Sequence, residues 1–460
     1  MDLSLVYSRA CAGMEAPLVQ VETHLANGLP AFNIVGLPET AVREAKDRVR
    51  CALLNSHFRF PDRRITVNLA PADLPKEGGR FDLAIALGIL AASGQLPAEN
   101  LGDYEFLGEL ALDGRLRAPP AIIPAALACT KAGRRLVTAP TCAPQAALAP
   151  DSQVLAAADL LRLCAHLNGN APLDPSTPPI PTAPPADDTD LRDVIGQPMA
   201  CRSLEIAASG NHSLLLCGPP GTGKTLLAER LPGILPPPSI GEALTIAVLH
   251  SYRESHDGRD SGGHPLTRRP FRQPHHSASA AALVGGGSRP RPGEVSLAHG
   301  GVLFLDELPE FSRPVLETLR EPLESGEITL SRARHSFTFP ARFLLVAAMN
   351  PCPCGYLGDR ERACRCTPDQ VQRYRQRISG PLLDRIDMQL DMPRIGAATL
   401  LRGEPRGEPS AVVRERVLRC RQHQQQRQGC SNDRLSGDVL MAACHLGTQE
   451  MALVTSAAER

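Results

Sequence analysis

The stretch Gly218–Thr225 is the strongest chemical signal in the sequence. It reads GPPGTGKT and fits the phosphate-binding pattern G-x4-G-K-[S/T] at every fixed position. Glycines let backbone N–H groups turn toward phosphates, Lys224 would neutralise β- and γ-phosphate charge, and the Thr225 hydroxyl could ligate Mg²⁺. We therefore expect ATP and Mg²⁺ as cofactors; a Gly-Pro-rich turn with a chance lysine is the alternative. The predicted nucleotide-binding residues are Gly218, Pro219, Pro220, Gly221, Thr222, Gly223, Lys224 and Thr225.

Two acidic residues, Asp306 and Glu307, end an apolar run that is typical of a buried strand. Asp306 would hold Mg²⁺ through water, and Glu307 would orient and deprotonate an attacking water molecule. Such a run is a weak signal alone, but it gains weight because it follows a phosphate-binding pattern. Asn350 ends another apolar run and would sense the γ-phosphate and the lytic water; a turn-forming Asn before Pro351 is the alternative.

Four cysteines form a C-x-C…C-x-C set with nine residues between the two pairs. Four thiolates can close a tetrahedral Zn²⁺ site, and a closed ligand set implies a structural metal rather than a catalytic one. The usual spacing within a zinc pair is C-x2-C, so a redox-active thiol cluster and reduced cysteines without a ligand stay as alternatives. The predicted zinc ligands are Cys352, Cys354, Cys364 and Cys366.

The composition excludes several classes of protein. The chain has 460 residues and a formal net charge of zero, so it has room for two or three domains and is not a strongly basic nucleic-acid binder. Aromatic residues make up only 3%, which disfavours recognition by base stacking. The sequence has neither a long apolar run nor a positively charged leader, so we expect a soluble cytoplasmic protein without a membrane partner.

A proline-rich segment divides the chain. Seven of the sixteen residues in 171–186 are proline, which predicts a semi-rigid extended linker. Period-two alternation over 18–23 and 64–69, with helical spacing over 40–54, predicts a mixed α/β domain before it. The predicted units are an α/β domain at 1–170, the linker at 171–190, a nucleotide-binding core at 191–392 and a helical lid at 393–460.

Two stretches of the first domain, 73–82 and 108–116, resemble the domain shared by Lon-type proteases and a ribosomal S5-like fold. In the protease, a serine follows a P-K-[D/E]-G-P element and a lysine follows a G-E-x-x-L-x-G element. The corresponding positions here are Arg80 and the neighbourhood of Ile123, which can serve as neither nucleophile nor base. The resemblance implies the fold without proteolysis; an unrelated α/β domain is the alternative.

The segment Gly380–Asp387 resembles the L-L-x-R-[F/I]-D element of the magnesium-chelatase and replicative-helicase branch of AAA+ proteins. In that branch the arginine crosses a subunit interface to the neighbour's γ-phosphate. The resemblance assigns this role to Arg385, which would stabilise transition-state charge only in an assembled ring. An intrachain salt bridge with Asp384 or Asp387 is the alternative. The predicted catalytic residues are Lys224, Glu307, Asn350 and Arg385.

Two insertions resemble features of the same branch. The segment 268–294, which contains the motif Pro-His-His-Ser, is similar to the helix-2 insert, a mobile loop that faces a central pore. The segment 326–339 is typical of a β-hairpin with a basic tip, at the place of the pre-sensor hairpin that grips DNA in this branch. The resemblance implies DNA-phosphate contacts by Arg332, Arg334 and His335; a solvated charged turn is the alternative.

Together these features resemble the ComM/YifB family of magnesium-chelatase-like AAA+ proteins over essentially the whole chain. Further marks are Gly36-Leu37-Pro38-Glu39 and the cysteine cluster after Asn350. The resemblance implies a ring-forming ATPase, expected as a homo-hexamer, that acts on single-stranded and branched DNA. It would be a helicase that promotes branch migration when incoming DNA is integrated during natural transformation. Two alternatives stay open: a magnesium-chelatase-type metal-insertion chaperone, and an ATP-dependent regulatory or protease-associated scaffold.

The lid of this family continues into a helix with a second sensor arginine in an L-S-x-R-x-x-x-R stretch. The sequence stops at Arg460, where that helix is expected to begin. We therefore expect a truncated lid without the second sensor, which puts ordinary ATP turnover by this polypeptide in question.

Overall fold

The computed structural model describes residues 2–36, 42, 44–179, 189–252, 267–286, 291–332, 335–359, 361–402 and 406–458. The segment 37–39, part of an expected family mark, and Arg334, an expected DNA contact, lie outside these residues. The same holds for the side chains of Arg332 and His335, whose backbones belong to strands.

A mixed sheet of seven strands forms the centre of the first domain. The strands of this domain are β1 (Leu3–Arg9), β2 (Leu18–Ala26), β3 (Ala31–Val35), β4 (Arg64–Ala70), β5 (Tyr104–Phe106), β6 (Glu109–Leu110), β7 (Leu116–Arg117), β8 (Arg135–Thr138) and β9 (Val154–Ala156). The sheet has the order β3-β4-β2-β1-β5-β8-β9; the β1–β2 and β2–β4 pairs are antiparallel, and the others are parallel. Alternate residues of β2 and β4 are buried, as the period-two pattern predicts.

Helices cover this sheet. They are α1 (Ala45–Asn55), α2 (Asp82–Ala92), α3 (Ile122–Lys131), α4 (Ala143–Ala146) and α5 (Leu160–Leu167). Every residue of α2 is buried because the helix packs on β1 and β2. A Cβ at Gly88 would clash with the Thr23 side chain, so this close approach requires glycine. The core of the predicted α/β domain therefore lies between α2 and the sheet.

The predicted linker begins in contact with the first domain. Ser176 N–H donates to the Val154 carbonyl oxygen at 2.7 Å, and Leu173 packs against the domain's core. The first residues of the predicted linker thus pack on the first domain. The linker residues 180–188 lie outside the described residues.

A parallel sheet of five strands forms the centre of the second domain. The strands of this domain are β10 (Leu214–Cys217), β11 (Phe271–Arg272), β12 (Gly285–Gly286), β13 (Arg291–Pro292), β14 (Val302–Leu305), β15 (Glu327–Arg332), β16 (His335–Pro340), β17 (Leu344–Met349) and β18 (Met388–Asp391). The sheet has the order β11-β14-β17-β10-β18, and all its pairs are parallel. Leu214 and Leu216 join the core on one face, whereas Leu215 joins the core on the other. The strands are apolar runs because both faces of the sheet are covered.

The helices of this part of the chain include the long helix of the predicted lid. They are α6 (Pro198–Gly210), α7 (Lys224–Ile234), α8 (Ile240–Ser251), α9 (Ala280–Val284), α10 (Glu294–Leu297), α11 (Arg313–Glu317), α12 (Arg320–Ser325), α13 (Pro368–Arg375), α14 (Gly380–Leu383), α15 (Ala397–Arg402), α16 (Ser410–Gln428), α17 (Gly437–Cys444) and α18 (Thr448–Ala458). Val413 and Val417 of α16 are buried in the core beneath α6 and α7. Within the described ranges, no helix combines the length and apolarity that a membrane span requires.

The two domains meet at a small aromatic cluster, formed by Tyr252, Phe339, Leu249 and Ala121. The Tyr252 ring meets Phe339 edge-on with centroids 5.9 Å apart, and its hydroxyl donates to the Gly13 carbonyl oxygen. Since Phe339 lies in β16, the first domain packs against the base of the β15–β16 hairpin.

Candidate functional site

The phosphate-binding pattern forms the loop between β10 and α7. Because the sheet is parallel, this loop lies at the same edge as the carboxyl ends of β14 and β17. Gly221 and Gly223 have φ of +81° and +87°, a region that favours glycine. A Cβ at Gly218 would lie 2.6 Å from the Met392 carbonyl oxygen, so this glycine lets the loop pass close to the end of β18.

Lys224 holds the loop closed from the first turn of α7. Its ammonium donates to the carbonyl oxygens of Gly218 and Pro219 at 2.7 and 3.0 Å and to Asn350 Oδ1 at 3.2 Å. Burial lowers the pKa of Lys224. The structure thus brings the predicted phosphate-binding lysine and the predicted sensor Asn350 together.

Thr225 and Asp306 form the side of the site that suits magnesium. Thr225 Oγ1 donates to Asp306 Oδ2 at 2.8 Å, and Asp306 Oδ1 accepts the Glu307 N–H at 2.9 Å. A hydroxyl and a carboxylate beside a phosphate loop are oxygen ligands of the kind that Mg²⁺ prefers, with phosphates and water completing its shell. The residues present therefore fit Mg²⁺.

Glu307 follows this pair at the end of β14. Its backbone has a φ of +52°, which is uncommon for a residue other than glycine. Its half-exposed carboxylate places Oε2 at 3.3 Å from Nδ1 of His276. The pore-facing loop that the resemblance implies for the Pro-His-His-Ser motif stays a prediction, and the structure places one histidine of the motif beside the predicted general base.

Arg385 lies at the opposite end of the sheet from the phosphate loop. Its carbonyl oxygen accepts the Ser213 hydroxyl at 2.7 Å; Ser213 comes just before β10, and the loop comes just after it. A strand of four residues spans about 13 Å, which exceeds the reach of an arginine side chain. Arg385 therefore does not reach the phosphate loop of its own chain.

The Arg385 guanidinium pairs with Glu324 of α12. An intrachain salt bridge was the predicted alternative, but its expected partners, Asp384 and Asp387, were wrong. Asp387 instead accepts the Ser213 N–H at 2.9 Å, and this contact joins β18 to β10. The Arg385 Nε is buried and has no hydrogen-bond partner among the described residues, so part of its donor capacity is unused.

Gln197 is a contributor to the site that sequence patterns missed. It is 5% exposed, and its Nε2 donates to the Pro393 carbonyl oxygen at 2.9 Å and to that of Thr222 at 3.4 Å. It therefore ties the phosphate loop to the segment after β18. The available signal was a polar residue directly before Pro198, which begins α6.

The four predicted zinc ligands come together after β17, with all their sulfur atoms within 4.8 Å of one another. Cys352 Sγ lies 3.4 Å from Cys354 Sγ and 3.6 Å from Cys364 Sγ. Tetrahedral Zn²⁺ with bonds of about 2.3 Å separates its sulfur ligands by roughly 3.8 Å, so the set fits zinc. The N–H groups of Arg365 and Tyr356 lower the pKa of the Cys354 thiol to about 6, whereas burial and the neighbouring thiols raise the pKa of Cys364 and of Cys366.

The loop that carries these cysteines packs against the phosphate loop. Gly355 has a φ of +82°, and a Cβ there would lie 2.7 Å from Pro220 Cδ. Arg394, which follows β18, pairs with the fully buried carboxylate of Asp359 at 3.2 Å. A metal that orders the cysteine loop would therefore also support the nucleotide site.

Strands β15 and β16 form the predicted hairpin, with Arg332 paired to His335 at the end of the ladder. The DNA contacts predicted for these two residues and for Arg334 stay predictions. In the first domain, Arg80 and Ile123 are buried, and the Arg80 guanidinium donates to the Pro120 carbonyl oxygen. The positions of the protease pair thus hold a hydrogen-bonded cation and a core side chain.

Three family descriptions match this chain. "Magnesium chelatase, subunit ChlI" covers residues 190–400, "Subunit ChlI of Mg-chelatase" covers 21–142, and "Magnesium chelatase, subunit ChlI C-terminal" covers 407–460. The first corresponds to the domain built on the five-stranded sheet, and the second lies within the domain built on the mixed sheet.

Similar proteins agree with these matches. Competence protein ComM of Haemophilus influenzae is 51% identical over 455 residues, which cover 98% of this chain and 88% of that protein. The YifB protein of Salmonella typhimurium is 51% identical over 447 residues, 97% of this chain and 87% of that protein. Lon protease 2 of Bacillus subtilis is 28% identical over 152 residues, 32% of this chain and 27% of that protein. The predicted fold, a Lon-protease-like α/β domain followed by an AAA+ domain, is confirmed, and the chain belongs to the ComM/YifB family of magnesium-chelatase-like AAA+ proteins.

Proposed function

We propose that this chain assembles into a ring, expected as a hexamer, that couples ATP hydrolysis to movement along DNA. Its task would be branch migration during the recombination of incoming DNA in natural transformation. The observation that carries the proposal is the division of the catalytic groups between the two ends of one sheet. Lys224, Asp306 and Glu307 lie at one end, and Arg385 lies at the other.

Hydrolysis at each site would use residues of two subunits. The loop and Lys224 bind the β- and γ-phosphates, and Mg²⁺ held by Thr225 and Asp306 would neutralise charge on the phosphate oxygens. Glu307 accepts the proton of the attacking water, which Asn350 helps to orient. A neighbouring subunit's copy of Arg385 would then stabilise the charge that develops on the γ-phosphate, so turnover depends on assembly.

DNA would contact the ring through local basic patches, because the chain has no net charge. The proposed contacts are Arg332, Arg334 and His335 at the end of the β15–β16 hairpin. They would grip phosphates rather than read bases. The name of the relative in Haemophilus influenzae, a competence protein, supports a role with incoming DNA.

Zn²⁺ is proposed as a structural metal at the four-cysteine cluster, bound by Cys352, Cys354, Cys364 and Cys366. The family descriptions name magnesium chelatase, so a metal-insertion chaperone is the second candidate function. A chaperone of that kind would hydrolyse ATP without responding to DNA. A cytoplasmic location agrees with both candidates.

The decisive experiment combines two assays on the same preparation. The ATPase rate is measured with and without forked DNA, and strand displacement is measured on forked and three-stranded substrates. We expect DNA to raise the ATPase rate and ATP to drive displacement. We expect both activities to be lost in Lys224→Ala, which loses the phosphate contact, and in Glu307→Gln, which retains nucleotide binding but lacks the general base.

The two controls separate loss of binding from loss of chemistry. Glu307→Gln should still bind a fluorescent ATP analogue, whereas Lys224→Ala should bind it weakly. The DNA motor would be refuted, and the chaperone favoured, if no DNA substrate changed the ATPase rate and ATP drove no strand displacement.

A further inference from the structure

A cavity lies where the first domain meets the second. Its volume is about 80 Å³. One water occupies roughly 15 Å³ of such space, so the cavity has room for a small organic group. The first domain lines it with residues of the loop 75–80 before α2 and with Cys11, and the second domain lines it with Tyr252 and with Phe337 of β16. A molecule in this cavity would therefore contact both domains.

The cavity is lined by a buried arginine that has no carboxylate partner among the described residues. Arg80 is 3% exposed, and its guanidinium donates to the carbonyl oxygens of Pro120 and Arg9. Further N–H donors of the guanidinium have no acceptor in the described part of the chain. Both the positive charge and part of the donor capacity of Arg80 are therefore available to a ligand.

The other buried arginines in the described ranges each face a carboxylate. Their pairs are Arg9–Glu105, Arg230–Asp193 and Arg269–Glu242, at 2.6, 3.2 and 3.3 Å. A buried charge is costly unless an opposite charge or several hydrogen bonds compensate it. Arg80 lacks the carboxylate that the other three have, and an anion in the cavity beside it would supply one.

The remaining walls decide which anion fits. Glu77 and Glu109 line the cavity together with the cation Arg291, so a ligand with more than one negative charge would be repelled. A carboxylate matches the planar guanidinium in shape and can accept two parallel hydrogen bonds from it. Apolar surface comes from Pro75, Pro119, Pro120 and Phe337. The walls therefore suit a single carboxylate that is attached to a short apolar group.

We propose that this cavity binds a monocarboxylate, as a free acid or at the end of a peptide chain, with Arg80 as its counter-charge. The apolar part of the ligand would lie against Phe337, in the hairpin on which the first domain packs. The Cβ position at Gly13 lies 3.5 Å from Phe337 Cδ1, so the two domains already meet beside the cavity. A bound ligand would strengthen this contact. The inference depends on neither DNA nor ATP hydrolysis.

Cys11 makes the cavity accessible to measurement, because it is a half-buried free thiol in its wall. The test compares the rates at which iodoacetate and iodoacetamide alkylate Cys11, followed by mass spectrometry of the peptide that contains it. Both reagents react with the same thiolate, so the ratio of the two rates cancels the thiolate fraction. Iodoacetate carries the carboxylate, whereas iodoacetamide is neutral.

We expect the ratio of the iodoacetate rate to the iodoacetamide rate to be about tenfold higher at Cys11 than at Cys420, the scale of one charge-assisted hydrogen bond. Cys420 is the matched control because it is an exposed cysteine of α16. Equal ratios at the two cysteines would overturn the proposal. Failure of both reagents to alkylate Cys11 would overturn it as well, because the cavity would then be closed to small molecules.

Two variants assign the preference to the charge of Arg80. Arg80→Gln keeps a donor for the Pro120 carbonyl oxygen and should lower the ratio at Cys11 to that at Cys420. Arg80→Lys keeps the charge without the planar fork and should retain part of the preference. If Arg80→Gln melts at the wild-type temperature and keeps the full preference, Arg80 is not the counter-charge.

Competition in the wild-type protein tests the class of ligand without any substitution. Propionate should slow the reaction of Cys11 with iodoacetamide, and neutral propionamide should not. Inorganic phosphate should protect Cys11 less than propionate does. Equal protection by propionamide, or stronger protection by phosphate, would contradict a monocarboxylate site.

The same assay distinguishes the two sources of the carboxylate. Protection by N-acetylalanylalanine at a lower concentration than by propionate would assign the cavity to the end of a peptide chain. The reverse order would assign it to a free acid. Absence of protection by both compounds would refute the site.

Discussion

Single side chains of the proposed nucleotide site lie at two opposite ends of one sheet. At one edge of the sheet, Lys224 donates to the Gly218 carbonyl oxygen and to Asn350, and Thr225 donates to Asp306. Arg385 is paired with Glu324 at the other edge. The ion pair keeps the arginine in place in the isolated chain, and assembly would have to exchange Glu324 for phosphate.

Removal of the Arg385 guanidinium should abolish turnover without abolishing nucleotide binding. We expect Arg385→Ala to lower kcat by on the order of 10³-fold, because arginine fingers contribute at least that much to phosphoryl transfer. Steady-state ATPase assays and binding of a fluorescent ATP analogue check this. Mixing Arg385→Ala with Lys224→Ala subunits should restore activity at roughly a quarter of the sites in a random ring. No recovery on mixing would contradict a shared site.

Sequence patterns predict the residues of the proposed site that local spacing connects. Lys224, Thr225 and Asp306 were predicted because the loop pattern and the strand-ending acids each occupy consecutive positions in the sequence. Glu324 and Gln197 were not, because each acquires its partner only through the fold. Glu324 is about sixty positions from Arg385 in the sequence, and no local pattern connects the two.

At the scale of elements, the cysteine loop supports the catalytic edge of the sheet. It follows β17 directly after Asn350, packs on Pro220 through Gly355, and is tied to the segment after β18 through Asp359. The sequence predicted the ligand set from cysteine spacing. It did not predict the contact with the phosphate loop, because no sequence pattern around Gly355 indicates which residue this glycine contacts.

Loss of the metal should therefore weaken ATP hydrolysis as well as the loop. We expect about one zinc per chain by elemental analysis. We expect Cys364→Ser to lose that zinc. We also expect its kcat to fall by about tenfold, the usual effect of removing residues that orient a site. Cys420→Ser, at an exposed cysteine of α16, is the matched control and should retain both. Full activity in zinc-free protein would contradict a supporting role.

At the scale of the whole molecule, the first domain rests on the hairpin that is proposed to grip DNA. The period-two and apolar runs predicted strands in both domains. A strand buried on one face alternates apolar and polar residues, and a strand buried on both faces is apolar throughout. Contact between the domains was beyond prediction: Tyr252, Phe339 and Gly13 are far apart in the sequence, and only the tertiary structure brings them together.

The aromatic cluster should be a measurable part of the stability of the domain contact. We expect Tyr252→Ala to lower the free energy of unfolding by about 3 kcal/mol, because it removes a buried ring. Tyr252→Phe should cost about 1 kcal/mol, since it removes only the hydroxyl that donates to Gly13. Denaturant unfolding followed by circular dichroism checks both values. Equal stability of the three proteins would show that the domains are held together elsewhere.

The distance between Arg385 and its own phosphate loop also has a genetic consequence. When each active centre is shared between two chains, a faulty copy of Arg385 silences the centre of an otherwise normal neighbour. A chain that lacks both Lys224 and Arg385 would silence two centres at once. Such an allele would be dominant: expressed beside the normal gene, it would reduce activity more steeply than its share of the chains.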